Sequence, residues 1–128
     1  MNLLLDTHIS LWAITDDPKL PKKARQMITS VSHEIFISAA SIWEISIKHS
    51  LGRNHMPISG NQALAYFQEA GYRLLPITPE HAAYVETLPL LHADPFDRIL
   101  IAQAQYEPMR FITHDSKLKD YGKLVILV

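Results

Sequence analysis

The run Asn2-Leu3-Leu4-Leu5-Asp6-Thr7-His8-Ile9-Ser10-Leu11-Trp12-Ala13-Ile14 changes its hydrophobic period at one residue. Leu3 to Leu5 are uninterruptedly apolar, the pattern of a short strand buried on both faces. From Thr7 onward Ile9, Trp12 and Ala13 follow helical spacing. Asp6 therefore stands where a buried strand, Asn2 to Leu5, gives way to a helix, Thr7 to Ile14.

The alternation repeats downstream. A turn at Asp16-Asp17-Pro18 precedes a helix that Pro21 opens and that runs to about Val31. Ile35, Phe36 and Ile37 form the centre of a strand from Glu34 to Ser38, and a helix follows from Ser38 to Leu51, stopped by Gly52. A further helix, Asn61 to Ala70, is capped by Gly71 and leads to a strand at Tyr72 to Ile77. Thr78-Pro79-Glu80 opens another helix, with a hydroxyl cap, proline in the first turn and an acid at the positive end of the dipole. Asp94-Pro95 begins a helix that reaches about Glu107; Arg110 to Thr113 is a strand, Ser116 to Tyr121 a helical turn, and Leu124 to Val128 a last strand. The pattern predicts an α/β fold, one domain over residues 1–128, with a mainly parallel central sheet and helices on both faces. Ligand sites in such folds lie beyond the carboxyl ends of the strands.

Composition narrows the function. The 128 residues are 48% hydrophobic, as expected of a packed domain. No apolar run approaches the ~18 residues of a membrane span, and the start lacks a signal-peptide pattern, so a cytoplasmic protein is expected. Cysteine is missing, which excludes disulfides and thiolate metal sites. The formal net charge is -1, without the basic excess of most nucleic-acid binders. Contact with a polyanion would need a local patch, or a cation bridging phosphate to carboxylates.

Four acids are placed to form such a bridge. Asp6 and Asp115 follow strands, Glu44 lies in the apolar helix stretch Ile42-Trp43-Glu44-Ile45, and Asp97 lies in the first turn of the helix opened by Asp94. Each has an ordinary reading as well: Asp6, Asp94 and Asp115 as helix caps, Asp97 as a partner of the helix dipole, Glu44 as the i,i+4 mate of Lys48. Jointly they point elsewhere. Helices as apolar as those around Glu44 and Asp97 are mostly buried, where an acid is seldom plain surface. Carboxylates ~6 Å apart repel by ~3 kcal/mol per pair at an effective dielectric near 20, a cost relieved by protonation or by a cation. Oxygen ligands without thiolates select magnesium or manganese.

The blocks Leu3-Leu4-Leu5-Asp6-Thr7-His8, Trp43-Glu44-Ile45-Ser46-Ile47-Lys48, Asp94-Pro95-Phe96-Asp97-Arg98 and Thr113-His114-Asp115 resemble, in order, the four signature blocks of PIN domains. Within that family the resemblance is to the VapC-type toxins of bacterial toxin–antitoxin pairs, and it covers essentially the whole chain. It implies a PIN-like three-layer sandwich and an acidic quartet of Asp6, Glu44, Asp97 and Asp115 holding Mg2+ or Mn2+. Asp94 is then an accessory acid, and Thr7 and Thr113 are hydroxyls that orient the carboxylates. The resemblance further implies an endoribonuclease toxin, an antitoxin partner and a homodimer. Ile9-Ser10 departs from the usual Ala-Leu type of pair, and His114 fills a variable position; neither removes a proposed ligand.

Lys48 and Arg98 lie within a helical turn of an acid and suit either RNA phosphates or local charge balance. The seven histidines show no zinc-ligand spacing; His8 and His114 stand out because each adjoins a quartet acid, although ordinary polar roles suit them too. Lys19 to Arg25 reads as a solvated helix face, and Trp12 and Trp43 as core or dimer packing. Two other classes compete with a nuclease. A phosphoacceptor signalling domain would want an adjacent acid pair after the first strand, where Asp6 is followed by Thr7-His8. A catalytically silent PIN scaffold would not need a complete quartet.

Overall fold

A computed structural model describes the backbone of residues 1–128 and every side chain except that of Asn54. Five strands, β1 (Asn2–Leu5), β2 (Glu34–Ser38), β3 (Arg73–Leu75), β4 (Arg110–Thr113) and β5 (Val125–Leu127), form one sheet in the order β3-β2-β1-β4-β5. Every pairing in it is parallel, so the expected mainly parallel sheet is wholly so.

The central place of β1 follows from its sequence. Leu3, Leu4 and Leu5 are all fully buried, as a strand covered on both faces requires. Leu3 and Leu5 face a core shared with Ile9, Ile45, Phe67 and Ile112, while Leu4 faces a second core with Leu100, Ile101, Phe111 and Leu118. The first core lies under helices α1 (Thr7–Ile14), α2 (Lys22–Thr29) and α4 (Gly60–Glu69). The second lies under α6 (Pro95–Tyr106) and a 3-10 helix at Ser116–Tyr121. Helix α3 (Ala39–Ser50) reaches both cores, giving Ile45 to one and Ala40 to the other. Two cores on opposite sides of one sheet make the three-layer α/β arrangement expected from the sequence.

Local chemistry sets the helix starts. Ser59 and Thr78 each build a capping box, the second with His81 in the usual place of Glu or Gln, and Pro79 and Pro95 open α5 (Pro79–Tyr84) and α6. Helix α5 gives way to a 3-10 turn at Val85–Thr87. The strands expected at Tyr72 to Ile77 and Leu124 to Val128 are each shorter, at Arg73–Leu75 and Val125–Leu127. Both are edge strands, where pairing on one side only lets the ends leave the ladder. Of the two readings for Trp43, core or dimer packing, the first does not hold: it is 57% exposed and meets Phe96 edge-on, ring centroids 5.1 Å apart. Among the described residues no helix is long and apolar enough to cross a membrane.

The chain runs outward from β1 to β2 and β3, then returns across the sheet to β4 and β5. The strand order therefore reverses between β1 and β4, and the crevice beyond their carboxyl ends is the expected ligand position. Asp6 and Asp115 follow those two strands.

Candidate active site

Asp6, Glu44, Asp97 and Asp115 line one cavity of about 240 Å3, with Asp94, His8, Lys48 and His92 completing its wall. All four proposed ligands thus come together, from four different elements. The register explains two of them. Leu5 pairs with Ile112, and the Asp6 N–H donates to the Ile112 carbonyl at 2.9 Å, so the residues that follow emerge side by side.

Asp6 is 6% exposed. Its Oδ1 accepts from the Thr7 N–H at 2.7 Å, capping α1, and its Oδ2 accepts from Thr113 Oγ1 at 2.6 Å. Burial pushes its carboxyl above the ordinary value of 3.8, against the Thr113 hydroxyl, which holds it down. Thr113 also accepts from the Asp115 N–H at 3.0 Å, so one hydroxyl fixes the carboxylate of one acid and the backbone of another. Thr7 acts differently from the expectation: its hydroxyl donates to Ser41 at 2.9 Å, linking α1 to α3, and only its backbone N–H touches a carboxylate.

Glu44 is buried at 5% exposure. Its Oε2 receives Lys48 Nζ at 2.5 Å, whereas Oε1 is buried and has no hydrogen-bond partner among the described residues. A buried carboxylate oxygen without a donor costs free energy unless something electropositive faces it. Asp97 carries a related signal. Its carboxyl is pushed up to about 7, chiefly by burial and then by the charges of Asp6 and Asp94, while His92 Nε2, 2.8 Å from Oδ2, works the other way. Asp94 is the cap of α6, its Oδ1 accepting from the Phe96 and Asp97 N–H groups at 2.8 and 3.3 Å. Asp115 caps the following 3-10 helix through Lys117 N at 3.0 Å.

The capping readings and the site readings are therefore compatible: helix starts place three of these acids at the mouth of the cavity. The donor set is oxygen-rich, one oxygen in it lacks a partner among the described residues, and one carboxyl titrates near neutrality because it is buried beside other anions. These residues fit a hard divalent cation.

Two residues read differently in three dimensions. Arg98, expected either as a phosphate contact or as charge balance for an acid, spends its guanidinium on other groups here. Its guanidinium donates to the carbonyls of Pro89, His92 and Val85 at 3.1, 3.4 and 3.3 Å and to the Tyr121 hydroxyl at 3.2 Å, bracing the segment that leads into α6. His92, which sequence spacing does not single out, reaches the acids. Its nitrogen and oxygens of Asp97 and Asp115 all lie within 4.8 Å of one another. The one signal for it in the sequence is its place two residues ahead of Asp94-Pro95. His8 lines the cavity, and His114 Nδ1 lies 2.5 Å from the Val128 carbonyl.

An all-parallel sheet with an acidic crevice at its switch point makes this a three-layer α/β domain with its candidate site in the usual ligand position. The sequence matches the PIN domain family over residues 3–124, and the chain belongs to that family. It is 29% identical over 122 residues to Ribonuclease VapC22 of Mycobacterium tuberculosis, spanning 93% of this chain and 91% of that protein. Solved structures with the same fold include VapBC2 from Rickettsia felis bound to a DNA fragment from its promoter, with a TM-score of 0.71 and 18% identity over 100% of this chain and 98% of that one. FitAcB from Neisseria gonorrhoeae superposes with a TM-score of 0.66 and 16% identity, over 98% of this chain and 96% of that one.

Proposed function

We propose that this chain is a magnesium- or manganese-dependent endoribonuclease, the toxin of a cytoplasmic toxin–antitoxin pair. The observation that carries the reading is the convergence of Asp6, Glu44, Asp97 and Asp115 on one cavity, with Glu44 Oε1 buried and unpartnered among the described residues. PIN-family membership and the relative named a ribonuclease support the reaction class. When bound by these acids, a divalent cation supplies the positive charge that neutralises a scissile phosphate and activates water for in-line attack.

The rest falls to the chain's own residues. Thr113 holds Asp6 in one rotamer, and Asp94 fixes the first turn of α6 so that Asp97 faces Asp6. Lys48 balances Glu44 and has N–H groups left for a phosphate oxygen at the cavity wall. Asp97, its carboxyl raised to about 7 by burial and by the charges of Asp6 and Asp94, is the acid that a bound cation would relieve most, holding it ionised as a ligand. An antitoxin partner and a homodimer belong to the same reading. The exposed Trp43, packed on Phe96 beside an apolar hollow of about 480 Å3, supports a protein contact on that face. Incubating purified protein with cellular RNA tests the proposal. Cleavage should require manganese or magnesium, stop with EDTA and be lost in Asp97→Asn; cleavage indifferent to both would refute it.

A further inference from the structure

We infer that His92 is a nitrogen ligand of the metal site, so that the site is a mixed imidazole–carboxylate one that prefers manganese to magnesium. The inference rests on the metal-dependent reading above and adds a residue to it.

The geometry comes first. His92 Nε2 lies 2.8 Å from Asp97 Oδ2, and ligand atoms of His92, Asp97 and Asp115 all lie within 4.8 Å of one another. For an octahedral ion with bonds of about 2.1 Å, neighbouring ligand atoms are ~3 Å apart and opposite ones ~4 Å. Without a cation this contact is a hydrogen bond; once the Nε2 proton is displaced, the same spacing is close to one edge of such a polyhedron. The same cavity is lined by Glu44, whose Oε2 is taken by Lys48 while its buried Oε1 has no partner among the described residues, an independent open acceptor for a cation there.

The position of His92 is built by its surroundings. Arg98 donates to the His92 carbonyl and to the Pro89 carbonyl, and Tyr121 donates its hydroxyl to Pro89 at 3.2 Å. Asp94, two residues on, is locked as the cap of α6. The backbone is thus tied on both sides of a side chain that is 17% exposed and points at Asp97. Arg98 thereby serves the site indirectly, its guanidinium bracing the loop that carries the histidine.

Ligand chemistry supplies the consequence. Magnesium is held by carboxylates and water and seldom takes nitrogen, whereas imidazole is a regular ligand of first-row transition ions. Replacing one carboxylate or water position by imidazole moves the preference away from magnesium toward transition ions, and manganese is the one of these that also accepts the carboxylates around it.

Manganese is paramagnetic, so the ligand is directly observable. Protein stripped with a chelator is titrated with Mn2+, and pulsed electron paramagnetic resonance reads 14N coupling to the bound ion. The expected result is imidazole coupling in the wild type that disappears in His92→Gln and survives in His8→Gln, the other histidine in the cavity wall. In His92→Gln the affinity for Mn2+ should fall about ten- to a hundredfold, as loss of a metal-site partner does. The affinity for Mg2+ should fall by less than that for Mn2+, and circular dichroism should match the wild type. Mn2+ binding that needs Asp6 but shows no 14N coupling, or coupling that persists in His92→Gln, overturns the His92 assignment while the metal reading stands. If no Mn2+ binding is lost in Asp6→Asn, both readings fall.

Discussion

Thr113 donates its hydroxyl to Asp6 at 2.6 Å across a sequence separation of 107 residues. The pair lies where β1 and β4 end side by side, and it is the link through which the sheet orders the site. The bond is buried and its acceptor is an acid, so losing it should matter. Thr113→Val keeps the side-chain shape and removes the donor to Asp6 together with the acceptor for the Asp115 N–H. It should cost about 1.5–3 kcal/mol in urea unfolding and weaken RNA cleavage. Thr113→Ser should retain most of both. Equal behaviour of the valine and serine variants would deny the hydroxyl this role.

The raised carboxyls set the sign of a pH dependence. Asp97 titrates near 7 in the folded protein against an ordinary 3.8, and Asp6 is shifted the same way. Between roughly pH 4 and 7 the folded state therefore binds more protons than the unfolded one, and stability falls as pH rises through that window. In EDTA, Asp97→Asn should melt at least about 3 °C above the wild type at pH 8 and converge with it near pH 4.5. Melting curves that stay parallel across this range would contradict the shift.

Cap and ligand separate by conservative replacement. Asn caps a helix as well as Asp, so Asp94→Asn should preserve α6 and most of the activity, while Asp94→Ala should cost ~1 kcal/mol of stability. Asp97→Asn should lower cleavage by orders of magnitude with the fold intact. If Asp94→Asn is as inactive as Asp97→Asn, Asp94 is more than a cap.

Much of this architecture is written in local patterns. The triple leucine of β1 needs cover on both faces, and Asp6, Asp94 and Asp115 mark element starts that the parallel order brings to one end of the sheet. The four acids are legible because each sits beside a strong local signal. What stays hidden depends on the path of an irregular segment. Nothing in the run from Leu88 to Ala93 says that Arg98 turns back to its carbonyls or that His92 lands on Asp97. Those contacts follow from where the 3-10 turn at Val85–Thr87 and Tyr121 stand in space. Trp43 departs from its pattern for a related reason: an apolar helix predicts burial, but α3 turns that residue outward toward Phe96.

The ends of the cleaved RNA test the central claim most directly. Water attacking in line and expelling the 3′-oxygen leaves a 5′-phosphate and a free 3′-hydroxyl. Attack by the RNA's own 2′-hydroxyl under general acid–base catalysis leaves a 2′,3′-cyclic phosphate and needs no cation. Ligation that requires a 5′-phosphate distinguishes them on the products of a manganese-supplemented digest. The acidic quartet predicts ligatable 5′-phosphate ends that vanish with EDTA; cyclic phosphates formed in EDTA would contradict it and turn attention to His8 and His114.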